Sequence, residues 1–540
     1  MITDFSANDS RYLIGYDSTQ SASALQINAT VGANGVTLKL SDNTETTFSN
    51  LSNAAQLNGH TCTPDPSVFP RGCVLSSPMC HHGRPIDGDV QMHNDALGLP
   101  LSTQSASAAA AFDHAVAGYV TYRNDGGQRL AALLQADPEF GLAHVLKGYF
   151  AMLGYKQTLV PMAREAADTA ALCMTGATPR EHAHLAALNA WIGNEPDRAA
   201  AIWQQIVDDH PRDIVAFRLA HFVNFWLGRP GTMLASVDGV LPYWNDDLPC
   251  YNAILGCLCF ANEESGHYTE AEQAGRAAIE RDPTDLWSAH GVAHVMEMQG
   301  RRGEGLAWLE PLVPHWEGSN NLRHHLWWHA AMFRLERHEH DAVLELYDAQ
   351  FRNLRSPLVE AQPDLYIDVQ NAASMLWRLQ RHGVDVGDRW TELADKAEAR
   401  IGDCLSVFTL PHWMMALAAD GRDAASQRML AAMRDFAQGP GTLPKLVGDI
   451  ALPVTEAVLA HAGRHYARAV TLMRPVLGTM HQLGGSHAQQ DVLEQVYLDA
   501  AVMADLHDDA RMLLERVAGR HPVPPHRRIG YADAAREIAF

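Results

Sequence analysis

The spacing of apolar residues changes near Ser105 and divides the chain into two unlike parts. Before that point, Ala24–Val31 and Gly35–Leu40 alternate apolar with polar residues, which predicts short strands. Beyond it, apolar residues recur at three- and four-residue spacing, and short breaks such as Asp282–Pro283 separate the segments. The pattern predicts an all-α body over residues 91–540 and a small irregular or β-rich segment over residues 1–90.

The helical part contains an internal repeat. Similar units begin near Arg212, Asp247, Thr284 and Asn320, at intervals of 35, 37 and 36 residues. Weaker units begin near Asp137, Thr178, Pro363, Cys404, Asp449 and Ser486. A period of this length is typical of helix-pair arrays.

The segment Asn252–Pro283 fits one tetratricopeptide unit, in which two antiparallel helices pack closely. Gly266 ends the first helix, and the small residues Ala271 and Ala278 lie where the second helix packs back. One pair cannot bury its apolar face alone, so neighbouring pairs must stack. We therefore predict a superhelix whose concave side is lined by the first helix of each pair.

Five longer strings in the helical part are distinctive, namely Phe260–Glu264, His290–Gly300, His325–His329, Asp368–Arg378 and Gly484–Asp491. Together they resemble the tetratricopeptide-repeat protein thirty-eight family, from about Asp95 to the C-terminus. The chain departs from that family at Gln490, where an arginine is expected, and at Cys257 and Cys259, which replace bulkier residues. The resemblance implies an α-superhelix and brings no firmly assigned activity.

The first 90 residues lie outside that resemblance. From Ile2–Asp9 to Asn53–Gly59 they resemble the terminal piece of haemolysin-type secreted proteins. An alternative is that the protein proper begins near Met92. A group of cysteines and histidines here is either an irregular loop or a zinc site whose spacing matches no standard knuckle. The group is Cys62, Cys73, Cys80, His81 and His82.

The charge balance narrows the choice of partners. The formal net charge is −22, which disfavours nucleic acid and anionic lipid because phosphate groups bind clustered Lys and Arg. No stretch is apolar enough to span a membrane, no signal peptide is visible, and the eight cysteines are irregularly spaced. We therefore expect a cytoplasmic protein without a nucleic-acid or membrane partner, of undetermined oligomeric state.

Histidine is unusually frequent, with 28 residues, and several histidines follow helical spacing. Counted from the preceding Pro283, Trp287, His290, His294 and Glu297 fall at positions that face the groove in tetratricopeptide units. Residues four apart differ by about 40° around a helix, and residues seven apart by about 20°. His290, His294 and Glu297 are thus expected to share one stripe.

One repeat later, His325 and His329 are again four residues apart. Two adjacent helices that each present two imidazoles near a carboxylate form the arrangement that a helical metal site needs. His290, His294, His325 and His329 are therefore candidate ligands of a divalent metal such as zinc. The alternative is that these histidines are structural and bond to neighbouring helices.

Two functions from different classes are consistent with this face. In the first, the protein binds a peptide or a small molecule in the concave groove. The predicted contact residues are Trp287, His290, His294, Glu297, His325, Trp328, His329, Asp368 and His487. In the second, it is a metal-dependent or acid–base hydrolase with Glu297, His325 and His412 as candidate catalytic residues. Glu263 and Glu264 are further candidates.

Overall fold

The computed structural model describes residues 92–540 in full and, before them, the backbone of residues 11–12, 29–32, 35–39, 45–48 and 61–62. Two compact units are distinguished, Met1–Gly88 and Asp89–Phe540. Most of the stretch with the haemolysin-type resemblance lies outside the described residues. The same is true of Cys73, Cys80, His81, His82 and the side chain of Cys62.

The described strands of the first unit are short. β1 (Arg11–Tyr12) pairs in parallel with β5 (Thr61–Cys62), and β2 (Ala29–Gly32), β3 (Gly35–Lys39) and β4 (Glu45–Phe48) form an antiparallel sheet. The predicted strands are confirmed over 29–31 and 35–39. In the second unit, β6 (His93–Asn94) pairs with β7 (Pro100–Leu101) just before the first helix.

The rest of the second unit is helical. Its α-helices are α1 Ala106–Val120, α2 Gly126–Ala136, α3 Gly141–Leu153, α4 Val160–Cys173, α5 Pro179–Ile192, α6 Pro196–Asp209, α7 Ile214–Trp226, α8 Pro230–Val240, α9 Tyr251–Glu264, α10 Tyr268–Arg281, α11 Leu286–Met298, α12 Arg302–Leu309, α13 Leu322–Leu335, α14 His340–Leu346, α15 Pro357–Ala361, α16 Tyr366–Arg381, α17 Arg389–Ala399, α18 Thr409–Ala419, α19 Asp423–Phe436, α20 Thr442–Leu446, α21 Leu452–Ala462, α22 Tyr466–Met473, α23 His487–Met503, α24 His507–Arg520 and α25 Ala532–Glu537. Within the described residues, none of these helices has the length and apolar content needed to cross a membrane.

Consecutive helices pack in pairs, from α3 with α4 to α23 with α24. The first helix of each pair begins within five residues of a predicted repeat start. The fold is therefore the predicted all-α superhelix of tetratricopeptide-like helix pairs. The first helices are the more buried ones, and we call them the inner helices.

Small residues let the helices of a pair approach closely, as in α9 with α10. A Cβ added to Gly275 of α10 would lie 2.7 Å from the Cys259 sulfur of α9, and one added to Gly291 of α11 would lie 2.6 Å from it. The sulfur therefore fits between two glycines, where a bulkier side chain would not. This packing favours a small side chain at position 259.

The superhelix closes on itself, so the N-terminal repeats contact the C-terminal ones. Arg400, after α17, donates to the carbonyl oxygen of Tyr155, after α3, at 2.8 Å. The backbone N–H of Leu443 in α20 donates to the carbonyl oxygen of Asn194, after α5, at 3.1 Å. Helix α23 packs against both α11 and α16. Closure converts the predicted open groove into an interior in which the inner helices contact one another.

Asp491, on the closing helix α23, is a buried carboxylate with several hydrogen-bond partners. Its Oδ1 accepts hydrogen bonds from Arg528 and from the hydroxyl of Tyr531, each at 2.6 Å. Arg378 of α16 lies 3.5 Å from the other oxygen, Oδ2. This network joins α23 to α16 and to the C-terminal segment.

We expect Asp491→Asn to destabilise the helical unit by about 3–5 kcal/mol, because it removes the carboxylate that balances two buried guanidinium groups. Burial alone raises the pKa of Asp491, but Arg528 and Arg378 outweigh it and hold the pKa well below its usual range. The contribution is therefore complete above about pH 4 and is lost as the pH falls further. Urea denaturation between about pH 6 and pH 3 measures both effects.

Asp505→Asn is the matched control at the end of the same helix. Asp505 is exposed and has a positive φ of 57°, which asparagine tolerates. Its denaturation midpoint should equal that of the unchanged protein. If the Asp491→Asn variant has the same denaturation midpoint as the Asp505→Asn control, the proposed role of the network is contradicted.

Candidate functional site

Four histidines from α11 and α13 meet in the interior, as their spacing predicts. His290 and His294 belong to α11, His325 and His329 to α13, and all four are at most 2% exposed. One ring nitrogen from each lies within 4.8 Å of the corresponding nitrogens of the other three. The Nε2 atoms of His290 and His294 are 2.8 Å apart. We call these residues the histidine cluster.

Two histidines of the cluster are oriented by hydrogen bonds on their outer nitrogens. His329 Nδ1 is 2.7 Å from Glu297 Oε2, and His325 Nδ1 is 3.0 Å from Asn371 Oδ1. An amide oxygen only accepts, so His325 Nδ1 carries the proton and its Nε2 keeps a lone pair. Carboxylate and carbonyl partners of this kind commonly orient histidines that bind metals.

The cluster is electrically neutral in the folded chain. Burial is the main cause that lowers the pKa of all four histidines, and for His329 it lowers the pKa to about 3. Neighbouring imidazoles lower the pKa of His290, His294 and His325 further. Neutral imidazole is the form that binds a metal ion.

Glu297 is the acid of the predicted stripe and is itself buried beside His329. Burial raises its pKa to about 8, while Arg378 acts in the opposite direction. The pair therefore shares a proton near neutral pH. A cation on His329 Nε2 would favour the arrangement in which Nδ1 carries that proton and Glu297 is ionised.

Glu263, Glu264 and His487 form a second group next to the cluster. Glu263 Oε2 lies 3.8 Å from His294 Nδ1, and Glu264 Oε2 lies 3.8 Å from His487 Nδ1. Neither oxygen of Glu263 has a hydrogen-bond partner among the described residues. Burial, and next Glu264, raise the pKa of Glu263 well above its usual value. Glu263 and Glu264, the further candidates from the sequence, thus lie beside His294 and His487.

The histidine cluster forms part of the wall of a cavity of about 410 Å³ inside the superhelix. His290, His294, His325 and Trp287 line it, as predicted for the inner face. Residues that sequence reasoning missed complete the wall, among them Tyr122, Arg218, Phe225, Phe260, Tyr366 and Gln489. They come from other repeats: Phe260 lies on the neighbouring inner helix α9, Arg218 and Phe225 lie on α7, and Gln489 lies on the closing helix α23. No local pattern in the sequence signals them.

Six predicted contact or catalytic residues are not part of the cavity wall, namely Glu297, Trp328, His329, Asp368, His412 and His487. Trp328 is 0% exposed and stacks on the outer side of His325, with ring centroids 5.2 Å apart. Asp368 accepts from Asn321 at 2.7 Å and lies 3.1 Å from His324 Nδ1. Trp328 and Asp368 therefore support α13 from behind.

His412 of α18 is also placed apart from the histidine cluster. Its Nδ1–H donates to the carbonyl oxygen of Phe408 at 2.9 Å, and its ring packs on that of Phe408. Burial lowers the pKa of His412 to about 4, so its ring is neutral. These contacts place His412 in the packed core and not with Glu297 and His325, the other two candidate catalytic residues.

Comparisons with known proteins gave solved structures of low similarity. No protein-family model matches the chain. The crystal structure of yeast Tom70 aligns with a TM-score of 0.29 and 12% sequence identity, over 79% of this chain and 87% of that one. A structure of Naa15/Naa10 bound to HypK-THB aligns with a TM-score of 0.22 and 12% identity, over 80% of this chain and 65% of that one. Similarity at this level carries no argument about function, which rests on the cluster and the cavity.

Proposed function

We propose that this protein binds a small organic molecule in this cavity, and that the histidine cluster holds a divalent transition-metal ion of the zinc class beside it. The observation that carries the proposal is the convergence of four buried, neutral imidazoles from two adjacent inner helices. A cluster of this kind brings four nitrogen ligands within 4.8 Å of one another.

The donor set fits a borderline metal rather than a hard one. Imidazole nitrogens suit zinc, copper, nickel and iron, whereas calcium and magnesium prefer oxygen ligands. Tetrahedral zinc with bonds of about 2.0–2.1 Å places its nitrogen ligands about 3.3 Å apart. The His290–His294 pair, at 2.8 Å, would open by about half an ångström. Such an ion acts as a Lewis acid toward a bound ligand.

A purely structural role accounts less well for the cluster. Buried polar atoms are normally paired, because an unpaired one costs about 1–3 kcal/mol. His290 Nδ1, His294 Nδ1 and His329 Nε2 are all buried without a hydrogen-bond partner in the described part of the chain. A metal ion would satisfy His329 Nε2 directly and would remove the need for a proton between His290 and His294.

The shape of the interior favours a small molecule over a peptide. Cavities that bind small molecules typically measure about 300–1,000 Å³ and combine apolar walls with a few polar groups. The volume of about 410 Å³ lies in that range. A peptide in the concave groove would need access along the inner helices, and α23 packs against two of them, α11 and α16.

A metal-dependent hydrolase is the second candidate. It is favoured by the position of His290, His294 and His325 in the cavity wall and by the nearby unpaired carboxyl of Glu263. A hydrolytic zinc site normally keeps one coordination position open, with three protein ligands. Four histidines fill a tetrahedral shell, so the number of histidines that bind the ion separates the two functions.

We also propose that the chain is a member of the tetratricopeptide-repeat protein thirty-eight family. Its five distinctive strings include both histidine pairs and the two glutamates beside them. The observed helix pairs agree with the superhelix that this family implies. Membership would place the histidine cluster among the features that define the family.

Metal content tests the first part of the proposal. Protein purified without a histidine tag should contain about one zinc-class ion per chain by elemental analysis. The double variant His290→Ala with His325→Ala should lose the ion, because only two ligands remain. His221→Ala is the matched control, since His221 is also a buried histidine on an inner helix but lies outside the cluster. Chelator-treated protein that takes up no zinc on titration would contradict the site.

Substitution of the ion by cobalt(II) distinguishes binding from hydrolysis. With four histidine ligands, the visible spectrum of the cobalt protein should not change when azide is added. In the single variant His325→Ala, azide should occupy the vacated position and shift the spectrum. A shift with azide in the unchanged protein would indicate an open position and would favour the hydrolase.

A further inference from the structure

Arg218 brings a buried positive charge to the cavity. It belongs to α7, is 4% exposed and lines the cavity. Its guanidinium carbon lies 5.6 Å from the ring centroid of Tyr122 and 5.4 Å from that of Trp287. Both rings also line the cavity. The cation is therefore held against two aromatic rings at the surface of the cavity.

The hydrogen-bond partners of Arg218 carry no negative charge. One terminal nitrogen donates to Cys257 Sγ and the other to the hydroxyl of Tyr122, each at 2.6 Å, while Nε has no partner among the described residues. Burial raises the pKa of the Cys257 thiol, and it raises the pKa of Tyr122 to about 12. Both groups are thus neutral near physiological pH and leave the guanidinium charge uncompensated.

The other buried arginines of the described chain are different. Arg180, Arg352, Arg378 and Arg400 each lie within 4.0 Å of a carboxylate oxygen. Arg218 has no such ion pair within the described residues. An isolated buried charge costs several kcal/mol, so its retention calls for a partner outside the chain.

Asp285 is an acid whose charge influences Arg218, and it serves a different purpose. It caps α11, accepting from the backbone N–H and the hydroxyl of Ser288 at 3.1 and 2.7 Å. Burial raises its pKa to about 6, with Ser288 and Arg218 acting in the opposite direction. The carboxylate is thus occupied by the helix terminus and does not contact the guanidinium.

The cavity wall as a whole also has positive charges without negative ones. The chain carries a net charge of −22, yet the residues that line the cavity include Arg123 and Arg218 and, within the part of the chain that the structure describes, no aspartate or glutamate. Most of the remaining lining is aromatic or aliphatic. The cavity is therefore apolar and locally positive inside an acidic protein.

We propose that the small molecule bound in this cavity is an amphipathic organic anion, whose carboxylate or sulfonate-like group binds Arg218 and whose apolar body lies against the aromatic walls. The inference rests on the proposed small-molecule function and names the chemical class of the ligand. The anionic group accepts from Arg218 Nε and supplies the missing counter-charge. The far end of the ligand then faces His290 and His294.

Two fluorescent probes of nearly the same shape test the charge. 8-Anilinonaphthalene-1-sulfonate is an aromatic anion, and N-phenyl-1-naphthylamine is its neutral counterpart. Arg218→Met should weaken binding of the sulfonate by about 10- to 100-fold, since a hydrogen bond to a charged group is lost. Binding of the neutral probe should change by less than about twofold. Arg198→Met, at an exposed arginine, should leave the affinity of both probes unchanged.

Stability provides an independent readout. Because Arg218 lacks a counter-ion in the unliganded protein, Arg218→Met should unfold at the same temperature or higher, whereas a structural arginine would lower it. Decanoate, but not decanol, should displace the bound sulfonate. Equal effects of Arg218→Met on the two probes, or failure of the unchanged protein to bind the sulfonate, would overturn the proposal. Metal content measured in Arg218→Met should stay unchanged, so the outcome is separate from that for the histidine cluster.

Discussion

Closure of the superhelix on itself is the constraint on which the rest of the structure depends, because it buries the inner helices on every side. Helix α23 is buried without interruption from Ala488 to Ala501. A polar side chain on such a helix must find its partner inside the protein. Asp491 does so through Arg378, Arg528 and Tyr531. Buried polar groups that lack a partner inside the protein therefore indicate where a ligand could bind.

Several of those unpaired groups lie in or beside one cavity. His290, His294 and the adjacent Glu263 have buried nitrogen or oxygen atoms without partners among the described residues, and so does Arg218, which also lines the cavity. Helix α11 links Arg218 to the histidine cluster. Its Trp287 ring contacts the Arg218 guanidinium, and His290, three residues later, belongs to the histidine cluster. One helical stripe thus forms a continuous wall between the candidate metal site and the candidate anion site. This continuity is the structural reason to treat cluster and cavity as a single binding site.

Local periodicity was sufficient to predict the helix pairs, their starts and the i, i+4 histidine pairs, because each depends on residues within one repeat. It was also sufficient to predict that His290 lies near His325, because the first helices of consecutive repeats pack next to each other. Closure depends on contacts between residues about 245 positions apart, such as Arg400 with Tyr155, and no local pattern encodes these. Arg218 was missed because periodicity does not show which residue of the inner helix α7 lacks a counter-ion, and Trp328 was placed in the groove although packing puts it behind His325.

With a metal ion on the histidine cluster, the two candidate sites would carry charges of the same sign, and this would couple them. The ring of Trp287 lies 5.4 Å from the Arg218 guanidinium and 4.8 Å from the ring of His290, so an ion on the cluster and the guanidinium would face each other across one side chain. With few charges of opposite sign in the cavity wall, each cation raises the cost of burying the other, since the interior screens charge poorly. An anion between them lowers both costs. By thermodynamic linkage, a metal that strengthens anion binding is itself bound more tightly when the anion is present.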